Sequence, residues 1–121
     1  MAVVLIIDDS PTELHLFQNT LEKAGFDTLV ADSGEEGLKT AKTARPDCIL
    51  MDVVMPGMNG FQATRKLTRD PATSDIPVIM ITGKDQETDK IWGMRQGAVE
   101  YLVKPVADKD LVNMINAVMA G

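Results

Sequence analysis

The chain has 121 residues, 45% hydrophobic and 25% charged, with 18 Asp and Glu against 12 Lys and Arg for a formal net charge of −6. That length suits one domain burying roughly two-thirds of its unfolded surface, and the charge excludes a nucleic-acid binder, which needs surplus Lys and Arg. It favours protein partners, and cations wherever carboxylates converge. No apolar run approaches the ~20 residues of a membrane-spanning helix, so no membrane insertion is expected. The Met1-Ala2-Val3-Val4 start lacks the basic region of a signal peptide. The one cysteine, Cys48, excludes an intrachain disulfide and is compatible with a reducing cytoplasm. Set in an apolar run, it reads as a buried structural thiol.

In chain order, Val3 to Ile7 is the first predicted strand, ending at Asp8-Asp9. Ser10-Pro11-Thr12-Glu13 then reads as a helix start, with Ser10 as N-cap, Pro11 at the first helical position and Glu13 closing a capping box. Leu14, Phe17 and Leu21 mark one face of that helix and Gly25 ends it. Thr28 to Ala31 is a weaker strand, and Ser33 caps a second helix carrying Leu38 and Ala41 that Pro46 closes. Cys48 to Met51 is a strand ending at Asp52. A third helix runs from about Gly60 to Arg69, and Val78 to Ile81 is a strand ending at Thr82. A fourth helix spans about Gln86 to Gln96. Val99 to Val103, interrupted by Glu100, is the last strand, ending at Lys104, and a closing helix carries Leu111, Ile115 and Val118. No repeat or linker divides the chain, so residues 1–121 are expected to form a single domain.

Near-continuous apolar strands alternating with helices indicate an α/β fold whose parallel sheet is covered on both faces. Right-handed crossovers point all the strands the same way. Asp8, Asp9, Asp52, Thr82 and Lys104, each just past an apolar run, therefore gather at the carboxyl edge of the sheet, where open α/β folds bind ligands.

Three carboxylates held together repel one another, and a hard divalent ion, Mg²⁺ by default, relieves this. Such an ion would also neutralise the oxygens of an incoming phosphoryl group. Lys104 supplies an ammonium to pair with Asp52 at rest and with phosphoryl oxygens afterwards. Thr82 offers a hydroxyl. Together these are the parts of an acyl-phosphate site. Alone, Asp8-Asp9-Ser10 is only a helix cap and Lys104-Pro105 only a turn; the conjunction carries the reading.

The segments Asp8-Asp9-Ser10, Met51-Asp52-Val53-Val54-Met55-Pro56-Gly57-Met58-Asn59-Gly60, Ile81-Thr82-Gly83 and Tyr101-Leu102-Val103-Lys104-Pro105 resemble the receiver domain of CheY-type response regulators over the whole chain. The resemblance implies a flavodoxin-like, doubly wound five-stranded sheet of order 2-1-3-4-5 with five helices, and no output domain. It implies that Asp52 is the phosphoacceptor, and that Asp9, Asp52 and the Val54 backbone carbonyl ligate Mg²⁺ directly, with Asp8 acting through water. Thr82 and Tyr101 would form a switch pair, Thr82 moving toward the phosphate and Tyr101 turning inward. The Lys104-Pro105 peptide would be cis. Gly57 and Gly60 suit the turn after the phosphorylation strand. The implied partners are a histidine kinase as phosphodonor and a downstream protein on the face of the fourth helix, fifth strand and fifth helix. A cytoplasmic monomer is expected, with no enzymatic activity beyond its own phosphorylation and dephosphorylation.

Gly60-Phe61-Gln62-Ala63-Thr64-Arg65, the run Lys84 to Lys90, and Trp92-Gly93 resemble, more particularly, single-domain regulators of chemotaxis-like systems controlling type IV pili and twitching motility. Ser10 to Glu13 and the ending Ile115 to Gly121 agree with this. Trp92 is either exposed for a partner or half-buried against the sheet. Lys84 is expected to point to solvent, and His15 to be a surface residue of the first helix. The eight Met residues are expected mostly in the core. The competing reading is a Mg²⁺-dependent phosphohydrolase of haloacid-dehalogenase type, whose nucleophile sits on the first strand in an Asp-x-Asp motif; Asp8-Asp9-Ser10 lacks that spacing. A non-phosphorylatable binding module on the same fold is the third.

Overall fold

The computed structural model describes residues 2–121. Five strands and five helices alternate: β1 (Val3–Ile7), α1 (Pro11–Lys23), β2 (Asp27–Ala31), α2 (Gly34–Ala44), β3 (Cys48–Met51), α3 (Gly60–Arg69), β4 (Val78–Thr82), α4 (Glu87–Arg95), β5 (Glu100–Val103) and α5 (Asp108–Ala120). The strands form one parallel sheet of order β2-β1-β3-β4-β5. This is the flavodoxin-like arrangement expected from the sequence. The order reverses between β1 and β3, which opens a crevice outside their carboxyl ends.

Successive side chains of a strand point to opposite faces, and here both faces are covered. Val4 and Ile6 of β1 join Leu14 and Leu21 of α1 and Leu111 and Ile115 of α5. Leu5 and Ile7 join Ala41 of α2 and Ala63 and Leu67 of α3. That is why β1, β3 and β4 read as unbroken apolar runs. A smaller cluster of Val53, Met80, Ala98 and Tyr101, with Phe61 against it, lies on the side of α3 and α4.

The boundaries shift slightly from the sequence reading. Thr82 is the last residue of β4 rather than the first beyond it, and β5 starts at Glu100, leaving Val99 exposed. As the sheet edge, β5 is only partly covered, so it tolerates Glu100. Arg45 adopts the left-handed conformation that ends α2, at φ 46°, just before Pro46.

The segment after β3 turns back sharply to start α3. Gly57 has φ 74°, which glycine adopts without cost, and Gly60 donates its N–H to the Val53 carbonyl at 2.8 Å. A Cβ on Gly60 would strike the Asp52 carbonyl and come within 2.8 Å of the Val53 Cα. Both obstacles are backbone and cannot swing aside. Gly60→Ala should therefore destabilise the fold by about 3 kcal/mol, near the top of the range for overpacking, read as a lowered midpoint in urea unfolding.

Candidate functional site

Four strands deliver the site residues to one edge. The Asp8 N–H donates to the Ala31 carbonyl at 3.1 Å, that of Asp52 to Ile7 at 3.0 Å and that of Lys104 to Thr82 at 2.8 Å. Each residue is thus fixed by the neighbouring strand at the point where its own strand stops. Asp8 is 1% exposed, Asp52 7% and Thr82 0%, whereas Asp9 is exposed. Carboxylate oxygens of Asp8, Asp9 and Asp52 all lie within 4.8 Å of one another.

Burial and the Asp8 charge raise the pKa of Asp52, against the lowering effects of Lys104, the Val53 N–H and the Thr82 hydroxyl. The Asp52 Oδ1 accepts that N–H at 2.8 Å. Burial by itself would lower the pKa of Lys104, but the hydrogen bond to Asp8 and the charges of Asp52, Asp8 and Glu13 more than reverse it. The ammonium lies 3.1 Å from Asp8 Oδ2, 3.4 Å from Glu13 Oε1 and 3.8 Å from Asp52 Oδ2. At rest its nearest anion is therefore Asp8, with Asp52 the most distant of the three. The donor set is all hard oxygen and short of positive charge. It fits a divalent cation such as Mg²⁺.

The Tyr101 ring is buried, and its hydroxyl donates to the Lys84 carbonyl at 2.9 Å. Burial and the charges of Asp89, Asp52 and Asp85 push the phenol to about 12. The Lys84 N–H in turn donates to the Thr82 hydroxyl at 3.3 Å. Thr82 and Tyr101 thus meet through one residue of the loop after β4. Gly93 of α4 makes room for the ring, since a Cβ there would lie 2.7 Å from the Met80 sulfur and 3.1 Å from Tyr101. The Lys104-Pro105 peptide is cis.

The capping box at α1 forms only in half. Ser10 Oγ accepts the Glu13 N–H at 3.3 Å, but the Ser10 N–H goes to Asp8 Oδ1 at 2.9 Å. Glu13, read as a cap, instead faces Lys104, and Phe17 lies one turn further on with its ring centroid 5.8 Å from the ammonium. The available signal was that helical side chains lean toward the N-terminus, here toward Asp8-Asp9. Lys84, expected to point to solvent, lies 3.8 Å from Asp89 while remaining 43% exposed. Trp92 is 47% exposed, about half of its surface open to a partner. His15 is a surface residue bonded to Asn19. Cys48 is buried and its thiol pushed up to about 12, chiefly by burial, as an inert structural cysteine should be.

Residues 4–116 match the family model of the response regulator receiver domain. The chain belongs to that family. It is 58% identical to protein PilH of Pseudomonas aeruginosa over 121 residues, the full length of both. The phosphate regulon transcriptional regulatory protein PhoB of the same organism is 37% identical, covering 96% of this chain but only 51% of PhoB. Among solved structures, chemotaxis protein CheY4 of Vibrio cholerae superposes with a TM-score of 0.92 at 34% identity, covering 98% of each chain. A putative response regulator from Chloroflexus aurantiacus gives 0.94 at 32% identity, covering 99% of this chain and 98% of that one. No helix among the described residues is long and apolar enough to cross a membrane.

A raised carboxylate pKa means that the ionised Asp52 opposes folding above the ordinary aspartate pKa. Asp52→Asn should raise the melting temperature of metal-free protein at neutral pH, by about 4 °C for each kcal/mol of repulsion relieved. The advantage should vanish on acidification below the ordinary aspartate range, where Asp52 is protonated in both states. Calorimetry across pH with chelator present measures both effects.

Proposed function

We propose that Asp52 is the phosphoacceptor of a binding switch and takes its phosphoryl group from the phosphohistidine of a histidine kinase. The observation that carries this is the buried Asp52 carboxylate, held beside Asp8 and Asp9 with the Lys104 ammonium 3.8 Å away. A carboxylate oxygen of Asp52 attacks phosphorus, the P–N bond breaks, and the ring nitrogen keeps the electron pair. The product is an acyl phosphate. Asp9, Asp52 and the Val54 backbone carbonyl would hold Mg²⁺ directly and Asp8 through water. Bound there, the ion supplies positive charge to the transferring oxygens.

Lys104 adds a second cation, able to leave its resting partners for the phosphoryl oxygens. Thr82 turns its hydroxyl to the new phosphate, which draws on its bond with the Lys84 N–H. The Lys84 carbonyl in turn anchors Tyr101, so the change reaches α4 and β5. There Ile91, Trp92, Met94, Val99 and Val103 expose apolar surface of the kind a protein partner covers. The output is association with that partner, or drainage of phosphate from a shared kinase. No chemistry is required beyond the chain's own phosphorylation and dephosphorylation. Full-length identity of 58% to PilH, together with the resemblance in Gly60 to Arg65, Lys84 to Lys90 and Trp92-Gly93, supports a cytoplasmic, monomeric regulator in a chemotaxis-like system for type IV pili and twitching motility.

Incubation with acetyl phosphate and Mg²⁺ should add one phosphoryl group to the intact mass, and none to Asp52→Asn. The reading fails if neither acetyl phosphate nor a matched kinase gives a Mg²⁺-dependent adduct, or if that substitution leaves the adduct in place. Sustained turnover of p-nitrophenyl phosphate would indicate the phosphohydrolase instead. Phosphorylation should also shift the emission of Trp92, the one tryptophan. Thr82→Ala should still accept the label but lose that shift.

A further inference from the structure

We infer that Glu13 is a positioning residue for Lys104, drawing the ammonium outward from Asp52 and thereby slowing the phosphoryl transfer proposed above. The inference rests on that reading of Asp52 and deepens it. A glutamate three residues into a helix ordinarily reaches back to the N–H of the capping residue. Here the Ser10 N–H is already taken by Asp8 Oδ1 at 2.9 Å, which leaves the Glu13 carboxylate free to lie 3.4 Å from Lys104 Nζ.

The three anions around the ammonium differ in depth. The Glu13 side chain is 33% exposed, that of Asp52 9% and that of Asp8 2%. Glu13 is the outer partner, and Asp52, the most distant at 3.8 Å, is an inner one. Phe17, four residues beyond Glu13 and on the same face of α1, presents its ring to the ammonium from 5.8 Å. Asp8 holds the ammonium most closely at 3.1 Å, and Glu13 and Phe17 of α1 draw it to their side. Charge developing on the transferring phosphoryl group needs the ammonium on the Asp52 side, so the Glu13 pair must be loosened before Lys104 can assist.

Glu13→Gln keeps the shape and removes the charge. With Mg²⁺ and acetyl phosphate, Asp52 of this variant should label faster than wild type by roughly three- to five-fold, the worth of one partly exposed ion pair. A double-mutant cycle with Lys104→Met separates action through Lys104 from a general charge effect on an anionic donor. In the Lys104→Met background, Glu13→Gln should leave the rate unchanged. An unchanged or slower rate for the single variant overturns the inference, and so does equal acceleration in both backgrounds. The ¹⁵N resonance of the Lys104 ammonium in metal-free protein should move in Glu13→Gln; an unmoved resonance overturns the inference even where Lys104→Met labels too slowly to measure. Failure of wild type to label at all would count against the parent reading, whereas normal wild-type labelling with no effect of Glu13→Gln would count against this inference alone.

Discussion

Negative charge is confined at the end of the sheet with too little positive charge to balance it. Asp8 and Asp52 are almost fully buried, Asp9 completes a carboxylate cluster, and Lys104 is the cation that reaches them. Carboxylates lose hydration on burial and repel one another, an imbalance expressed in the raised pKa of Asp52. The rest of the edge is arranged around that shortage. Backbone bonds from one strand to the next hold the charged residues in place, the Ser10 and Val53 N–H groups donate to Asp8 and Asp52, and Lys104 donates to Asp8.

A site short of positive charge responds strongly when charge arrives. A cation relieves the repulsion directly, and a phosphoryl group on Asp52 would move the negative charge outward and give Lys104 a new partner. Since Lys104 already divides itself among Asp8, Glu13 and Asp52 at 3.1, 3.4 and 3.8 Å, small differences in partner strength decide where it sits. The loop after β4 extends this sensitivity, because Lys84 bonds Thr82 through its N–H and Tyr101 through its carbonyl. The helix beyond, α4, has only Gly93 buried. An element with so little buried surface shifts at small cost, whereas α1 and α5, packed through Leu14, Leu21, Leu111 and Ile115, do not.

Much of the fold was legible because the sheet is buried on both faces. Unbroken apolar runs at Val3–Ile7, Cys48–Met51 and Val78–Ile81 have no other comfortable place, and each ends at a residue that water or charge must satisfy. The weaker signals belonged to the edges. β2 and β5 have only one neighbouring strand and incomplete cover, so they accommodate the polar Asp27, Thr28 and Glu100 that weaken their apolar pattern. Glu13 was misread for a related reason. A capping box is a local rule, and it was displaced by Asp8, which reached the Ser10 N–H first.

The amino-acid sequence by itself determined the alternation of strand and helix, the common direction of the strands and the meeting of Asp8, Asp9, Asp52, Thr82 and Lys104 at one edge. Periodicity and the handedness of crossovers suffice for that. Tertiary structure decided how those groups share their charge: Lys104 lies nearest Asp8, Glu13 turns from its cap to the ammonium, and Tyr101 settles against Gly93 with its hydroxyl on Lys84. These outcomes depend on distances of 3 to 4 Å between residues up to 96 positions apart, which no local pattern encodes.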